Sequence, residues 1–238
     1  MEVKGLSQIT RSMSVFSPIL SPRKSQSLAH FRAVFHSLAV VAEYEEPEAD
    51  GHVTRVSAYT SFLASHVLGW SQLEAERVGV AALLHDIGKV AVPKELLLRP
   101  SGLSLEERLF VQQHAQWGYE LIERLERYFL PVDMDERLFQ YAKDVAHAHH
   151  ENWDGSGVPQ GLQGEAIPIA ARLVKLADVI DALLSRRPYK APWPWEDVRD
   201  ELVRLAGAQF DPTLVQGLFA HEDAFLQRVQ TSMGDARG

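Results

Sequence analysis

The stretch Val78-Gly79-Val80-Ala81-Ala82-Leu83-Leu84 carries no polar side chain, and it runs directly into His85-Asp86. Just upstream stands Ser71-Gln72-Leu73-Glu74, the Ser-x-x-Glu pattern that opens a helix by satisfying its first amides. A helix that is apolar on every side has to be buried among other elements. The chain is therefore expected to wrap one central helix and to carry a histidine and an aspartate into its interior at that helix's end, with Gly88 as the stop. No run alternates apolar and polar residues with period two, so the surrounding elements read as helices too. From Leu28, a stripe holds Phe31, Val34, Phe35, Leu38 and Val41 and is broken by the acidic stretch 43–50 with Pro47 inside it. A second helix is expected over about 51–68, with Val53, Val56, Phe62 and Leu63. Ser104-Leu105-Glu106-Glu107 is a second capping box, and the single helix after it carries Leu109, Phe110, Val111 and Trp117. Another covers about 135–150. Glycines 155, 157, 161 and 164 mark 151–168 as a loop, closed by Pro168 ahead of an apolar helix that ends at Leu184. Segments 193–205 and 212–219 complete an all-α chain of seven or more helices without internal repeats. The alternative architecture is two subdomains split near 151–168.

The expected organisation is a mobile leader over 1–27, rich in serine, one domain over 28–220, and a helix end and tail over 221–238. With 238 residues and 46% hydrophobic content, the chain can bury a core without staples. Cysteine is absent, which excludes disulfides and thiolate sites. The net charge of -8 argues against a nucleic-acid polymer as partner. No apolar run is long enough to span a bilayer, and nothing resembles a signal peptide. The class expected is a soluble cytoplasmic protein. It has ten histidines.

Several of those histidines stand with carboxylates. Glu48 and His52 are four apart, so on a helix or its entry they share a face. His85-Asp86 ends the buried helix, His114 lies in the next, and His149-His150 ends another just before the glycine loop. Asp178 sits in the apolar stretch 173–184. A charged carboxylate on a buried face costs several kcal/mol unless it is paired or bound to metal. Imidazole nitrogens mixed with carboxylate oxygens suit borderline divalent metals such as iron, manganese, zinc or nickel, and a carboxylate such as Asp86 can bridge two ions. Taken singly, each has a plainer reading. A lone helical histidine such as His114 is usually a surface or core residue. Asp178 could be a salt-bridged core carboxylate, and Glu48 part of a solvated loop. Side chains of neighbours such as His149 and His150 diverge by about 100° on a helix, so both reach one ion only from a helix end. His30, His36, His66, His147 and His221 read as structural or surface residues.

The joint pattern resembles the HD-GYP subgroup of the HD-domain phosphohydrolases. The motifs are His85-Asp86-Ile87-Gly88-Lys89, Leu98-Arg99-Pro100-Ser101-Gly102-Leu103-Ser104, His149-His150-Glu151-Asn152-Trp153-Asp154-Gly155-Ser156-Gly157-Val158-Pro159, Ala177-Asp178-Val179-Ile180-Asp181-Ala182-Leu183, Arg187-Pro188-Tyr189-Lys190 and Gln209-Phe210-Asp211-Pro212. The resemblance implies an HD-domain helical bundle with additional C-terminal helices, and hydrolysis of a cyclic dinucleotide, chiefly cyclic di-GMP, to linear pGpG or GMP. It implies two or three divalent transition metal ions, iron or manganese. His52, His85, Asp86, His114, His149, His150 and Asp178 fall on the family's ligand positions, with Asp86 bridging, and Glu48 on the carboxylate of three-metal members. Lys89 falls on the lysine that contacts the scissile phosphate or the attacking oxygen, and Arg187 and Lys190 on basic residues near the phosphates. The chain departs from the naming motif at Val158, where the family carries tyrosine. Without that ring and hydroxyl, substrate choice or the docking of a signalling protein through the 155–164 loop is where this chain is expected to differ. Other readings are a hydrolase of cyclic GMP-AMP or of a nucleotide monoester, or a low-turnover dinucleotide-sensing or partner-binding module.

Overall fold

The computed structural model describes residues 22–43, 51–99, 102–129, 135–186 and 191–235, in which eleven α-helices surround one core and no strand runs. The all-α expectation holds. Helix α1 (Pro22–Ala42) begins with a proline at its first position, earlier than the stripe from Leu28 suggested. Pro22–Ser27 of the expected leader therefore belong to a helix, and residues 1–21 lie outside the described set. The buried face of α1 is Leu28, Phe31, Phe35 and Ala39. Spacings of three and four carry that face past Val41, which is exposed rather than on the stripe. Phe31 and Phe35 meet Phe139 edge to face, with centroids 5.5 and 5.7 Å apart.

Helix α2 (His52–Phe62) runs on into a π turn (Leu63–Val67). Helix α3 (Gln72–Ala82) is the central helix, and Val78 and Val80–Leu84 are buried as their composition requires. Only half of its capping box forms. Ser71 Oγ accepts from the Glu74 amide, but the Glu74 carboxylate takes Arg77 at 2.7 Å and the Tyr141 hydroxyl at 2.6 Å, which ties α3 to a later helix. After a turn through His85 and Asp86 come a 3-10 turn (Ile87–Ala91) and the one-turn helix α4 (Lys94–Leu97). The box at Ser104 is complete, but it opens α5 (Leu105–Gln112) alone. The chain breaks at Gln113, and α6 (His114–Phe129) starts afresh. Leu105, Leu109 and Phe110 of α5 are exposed rather than on a core stripe, because the break leaves α5 outside the packing.

Helix α7 (Glu136–Ala148) pairs with α6 and α3, and α8 (Ile169–Leu184) lies against both α2 and α7. One hydrophobic core therefore spans the loop at 151–168, and the chain does not divide there into two subdomains. Helices α9 (Trp195–Leu205), α10 (Pro212–Ala220) and α11 (Glu222–Asp235) follow. The core continues past residue 220, into the segment expected as a helix end and tail. Phe225 of α11 is fully buried, with its ring 5.3 Å from both Tyr59 and Phe62, because Phe225 and Val229 recur at helical spacing. No helix among the described residues is long and apolar enough to cross a membrane.

Candidate metal centre

Five helix ends and one mid-helix turn meet at a single place. The end of α3 delivers His85 and Asp86, the start of α6 His114, the end of α7 His149 and His150, and the start of α2 His52. Glu43 closes α1, and Asp178 and Asp181 come from within α8. Gly88 makes the meeting possible, though not as the left-handed helix stop its type suggested. A Cβ there would come within 1.9 Å of His114 O, so only glycine lets the turn after Asp86 press against the first turn of α6.

Asp86 is the hub. Its Oδ1 lies 3.1 Å from His114 Nε2 and 3.4 Å from His149 Nε2, while its Oδ2 lies 3.4 Å from His85 Nε2 and 2.8 Å from Lys89 Nζ. Its two oxygens thus face two sets of ligand atoms, each set lying within 4.8 Å. One is Asp86, His114, His149 and His150; the other is Glu43, His52 and His85. Asp178 stands at the edge of the second set, 3.5 Å from His52 Nε2, with 28% of its side chain exposed.

The imidazoles are held with one nitrogen outward. His85 Nδ1 donates to Ala82 O at 2.9 Å, His114 Nδ1 to Val111 O at 2.7 Å, and His149 Nδ1 to Val145 O at 3.0 Å. His52 Nδ1 donates to Asp181 Oδ2 at 2.8 Å. A carbonyl or carboxylate oxygen only accepts, so Nδ1 carries a proton in each, and the neutral ring then turns its Nε2 lone pair inward, the arrangement of a metal-binding histidine. His85 Nε2, His149 Nε2, Asp86 Oδ1 and Glu43 Oε1 are all buried without a hydrogen-bond partner. Buried polar atoms are rarely orphaned, and four converging on one place fit a cation. His114 Nε2 and His150 Nε2 approach to 3.1 Å, close to the ~3 Å between adjacent nitrogens on one ion with bonds of about 2.1 Å. The residues present thus fit divalent transition metals bound through nitrogen and oxygen.

The electrostatics agree. Burial opposes ionisation of Asp86, but Lys89 and His85 hold its carboxyl well below the usual range. Burial, and the neighbouring His149 and His114, push His150 well below an ordinary imidazole and keep it neutral. Burial also opposes protonation of His52, yet its hydrogen bond to Asp181 and the charges of Asp178, Asp181 and Glu43 push it up to about 9. Burial raises Glu43.

Two participants escaped the sequence reading. Asp181 is buried, accepts from His52, and is clamped by Arg55 through Nε at 2.6 Å and a second nitrogen at 3.1 Å. The signal was present, since Asp181 follows Asp178 by three in an apolar helix. Glu43 follows Ala39 by four and so continues the buried stripe of α1. Glu48, Arg187 and Lys190 lie outside the described residues. His30, His36, His66 and His221 are exposed, and His147 meets the Gln160 amide at 3.1 Å, in keeping with their plain reading.

The glycine loop is fixed from several sides. The buried Glu151 carboxylate accepts from the amides of Gln160 at 2.7 Å and Leu162 at 3.1 Å. Trp153 and Asp154 donate to the carbonyls of Gln209 and Ala208. Trp153 lies under Arg172, which in turn holds Asp211 at the start of α10. Val158 N donates to His150 O at 3.4 Å, so the position where the chain departs from the naming motif is tied to the backbone of a candidate ligand.

The family described as HD domain matches residues 36–214. The chain is 40% identical over 204 residues to a 3'3'-cGAMP-specific phosphodiesterase of Vibrio cholerae, covering 86% of this chain and 37% of that one. It is 38% identical to the cyclic di-GMP phosphodiesterase response regulator RpfG of Xanthomonas campestris, covering 79% and 47%. The chain thus spans less than half the length of these two relatives. Among solved structures it resembles an HDG"Y"P protein from Bdellovibrio bacteriovorus, with a TM-score of 0.55 at 17% identity over 85% of this chain and 73% of that one.

Proposed function

The chain belongs to the HD-domain family, and from that premise we propose that it is a metal-dependent phosphodiesterase that opens a cyclic dinucleotide. The observation that carries the reading is the Asp86 carboxylate, whose two oxygens face two sets of ligand atoms, four of them (Asp86 Oδ1, His149 Nε2, His85 Nε2 and Glu43 Oε1) buried without a hydrogen-bond partner. Asp86, His114, His149 and His150 would hold one ion. His52, His85 and Asp178 would hold another, shared through Asp86, with Glu48 as the carboxylate of a third. Iron or manganese suits these donors. When bound, such ions neutralise phosphate oxygens and make a water acidic enough to attack phosphorus at neutral pH.

The chain's own residues do the rest. The carbonyls of Ala82, Val111 and Val145 and the Asp181 carboxylate fix the rings, so the ligand set is preorganised. Lys89 is held 2.8 Å from Asp86, where its ammonium meets the charge that builds on the phosphoryl oxygens. Water adds across the P–O3′ bond and its proton ends on the departing 3′ oxygen, giving linear pGpG and, after a second cleavage, GMP. With a net charge of -8 the molecule as a whole repels an anionic substrate, so recruitment falls to the local cationic centre with Lys89, Arg187 and Lys190. The reaction belongs to bacterial second-messenger signalling in the cytoplasm, and the 155–164 loop is the surface for a signalling partner.

Cyclic di-GMP is the first substrate. The 40% identity to a cGAMP-specific relative, together with Val158 beside a ligand's backbone, favours 3'3'-cGAMP as a second. Manganese-loaded protein incubated with a panel of cyclic dinucleotides and nucleotide monoesters tests the reading. Hydrolysis of cyclic di-GMP or cGAMP that stops on chelation is expected; full activity after exhaustive chelation would overturn it.

A further inference from the structure

We infer that Glu43 is a metal ligand of the second set, and that it makes the seating of α1 part of the metal centre. This rests on the metal-centre reading but not on the identity of the substrate. Glu43 directly follows α1, and its amide still donates to Ala39 O at 3.0 Å, so the last helical turn holds through it. It lies on the same buried stripe as Phe31, Phe35 and Ala39, and only 3% of it is exposed. A carboxylate on the core face of a helix is out of place unless something positive meets it. The charges of His85, His52 and Lys89 reach it, but its Oε1 is buried with no hydrogen-bond partner. It converges instead with His85, whose Nε2 is likewise orphaned, and with His52. The two nitrogens of His52 face other carboxylates, Asp181 at 2.8 Å and Asp178 at 3.5 Å. A buried carboxylate and an imidazole lone pair turned on the same point describe a cation site, and the nitrogen and oxygen donors select a borderline divalent metal.

Charge supports the assignment. Asp86 is the single anion of the first set, and it must be shared. Without Glu43 the interior side of the second set would offer imidazoles and the shared Asp86 oxygen alone, because Asp178 stands on the more open side. Glu43 supplies a full negative charge where water cannot. It also comes from an element that carries no other ligand among the described residues. A cation in the second set therefore ties the end of α1 to α2 and α3, and its removal leaves a buried carboxylate that loosens that turn.

The test uses the full chain, stripped of metal and titrated with Mn2+ by equilibrium dialysis with metal analysis. Glu43→Gln keeps the shape and removes the charge. It is expected to bind one equivalent fewer than the parent, or to hold its second ion at least tenfold more weakly, with the first ion unchanged. In the parent, Mn2+ is expected to slow hydrogen exchange at the amides of Val40–Glu43. Full stoichiometry at parental affinity in Glu43→Gln would overturn the assignment, as would α1 amides indifferent to Mn2+. If the variant does not fold, the exchange measurement on the parent decides alone. A parent that binds no cation overturns this inference and the metal centre together, whereas a parent that binds its ions without help from Glu43 overturns this inference only.

Discussion

At the scale of single residues, the centre depends on atoms that are not themselves ligands. Each of His52, His85, His114 and His149 is aimed by an acceptor on its Nδ1 side, and for His52 that acceptor is the buried Asp181. Asp181→Asn weakens this bond and removes the ionised carboxylate that clamps the buried Arg55. The first effect should lower affinity for the second ion about 10–100-fold, and the second should cost about 3–5 kcal/mol of stability. Mn2+ titration and urea unfolding read the two separately, and unchanged metal affinity would remove Asp181 from the centre. His52 also sets a pH dependence. Its pKa is raised to about 9, so the metal-free protein keeps a proton there at neutral pH, and a cation must displace it. Affinity for the second ion should climb with pH, up to about tenfold per unit, and level off near pH 9. A flat profile between pH 6 and 9 would show that His52 does not bind the ion.

At the scale of elements, ends matter more than lengths. Most of the ligands sit in the first or last turn of a helix or just beyond it, and Gly88 lets two such ends touch. Gly88→Ala would drive a Cβ into the backbone at His114. That overpacking should cost at least about 1–3 kcal/mol and displace His114, so metal binding by the first set falls with stability. Ser104→Ala is the contrast. It removes a complete cap from α5, costs about 1 kcal/mol, and should leave metal stoichiometry intact. Thermal melts with metal analysis on both variants check the pair; normal metal content in Gly88→Ala would mean that the turn relaxes without moving His114.

At the scale of the whole molecule, α8 joins the two halves of the chain. It packs on α2 and α7, carries Asp178 and Asp181 to the centre, and through Arg172 holds the glycine loop against the start of α10. Since the candidate ligands come from helices far apart in sequence, bound cations would cross-link the fold. Ions at a hundredfold excess over Kd add about 2.7 kcal/mol of stability, which for a domain of this size is roughly 5–10 °C in Tm. Chelation should lower Tm by that much, and calorimetry with and without excess chelator measures it; an unchanged Tm would mean that the ligands do not bridge elements.

The sequence by itself determined the helical class, the buried α3 and six of the seven residues whose ligand-type atoms gather in the two sets. An all-apolar run has to be buried wherever it lands, and His85-Asp86 at its end has few places to go. Local signals decided less. Ser71 and Ser104 sit in the same pattern, yet only Ser104 completes its box, because Tyr141 and Arg77 draw Glu74 away. The break at Gln113, the exposure of Val41 and the burial of Phe225 depend on which neighbour covers which face, and that is fixed by packing over long sequence separations. Only the tertiary structure paired Asp181 with His52, 129 residues away, and turned Glu43 toward His85. A carboxylate at the end of an acidic stretch looks solvated in one dimension; its cost, and therefore its meaning, arises when the helix register turns it into the core.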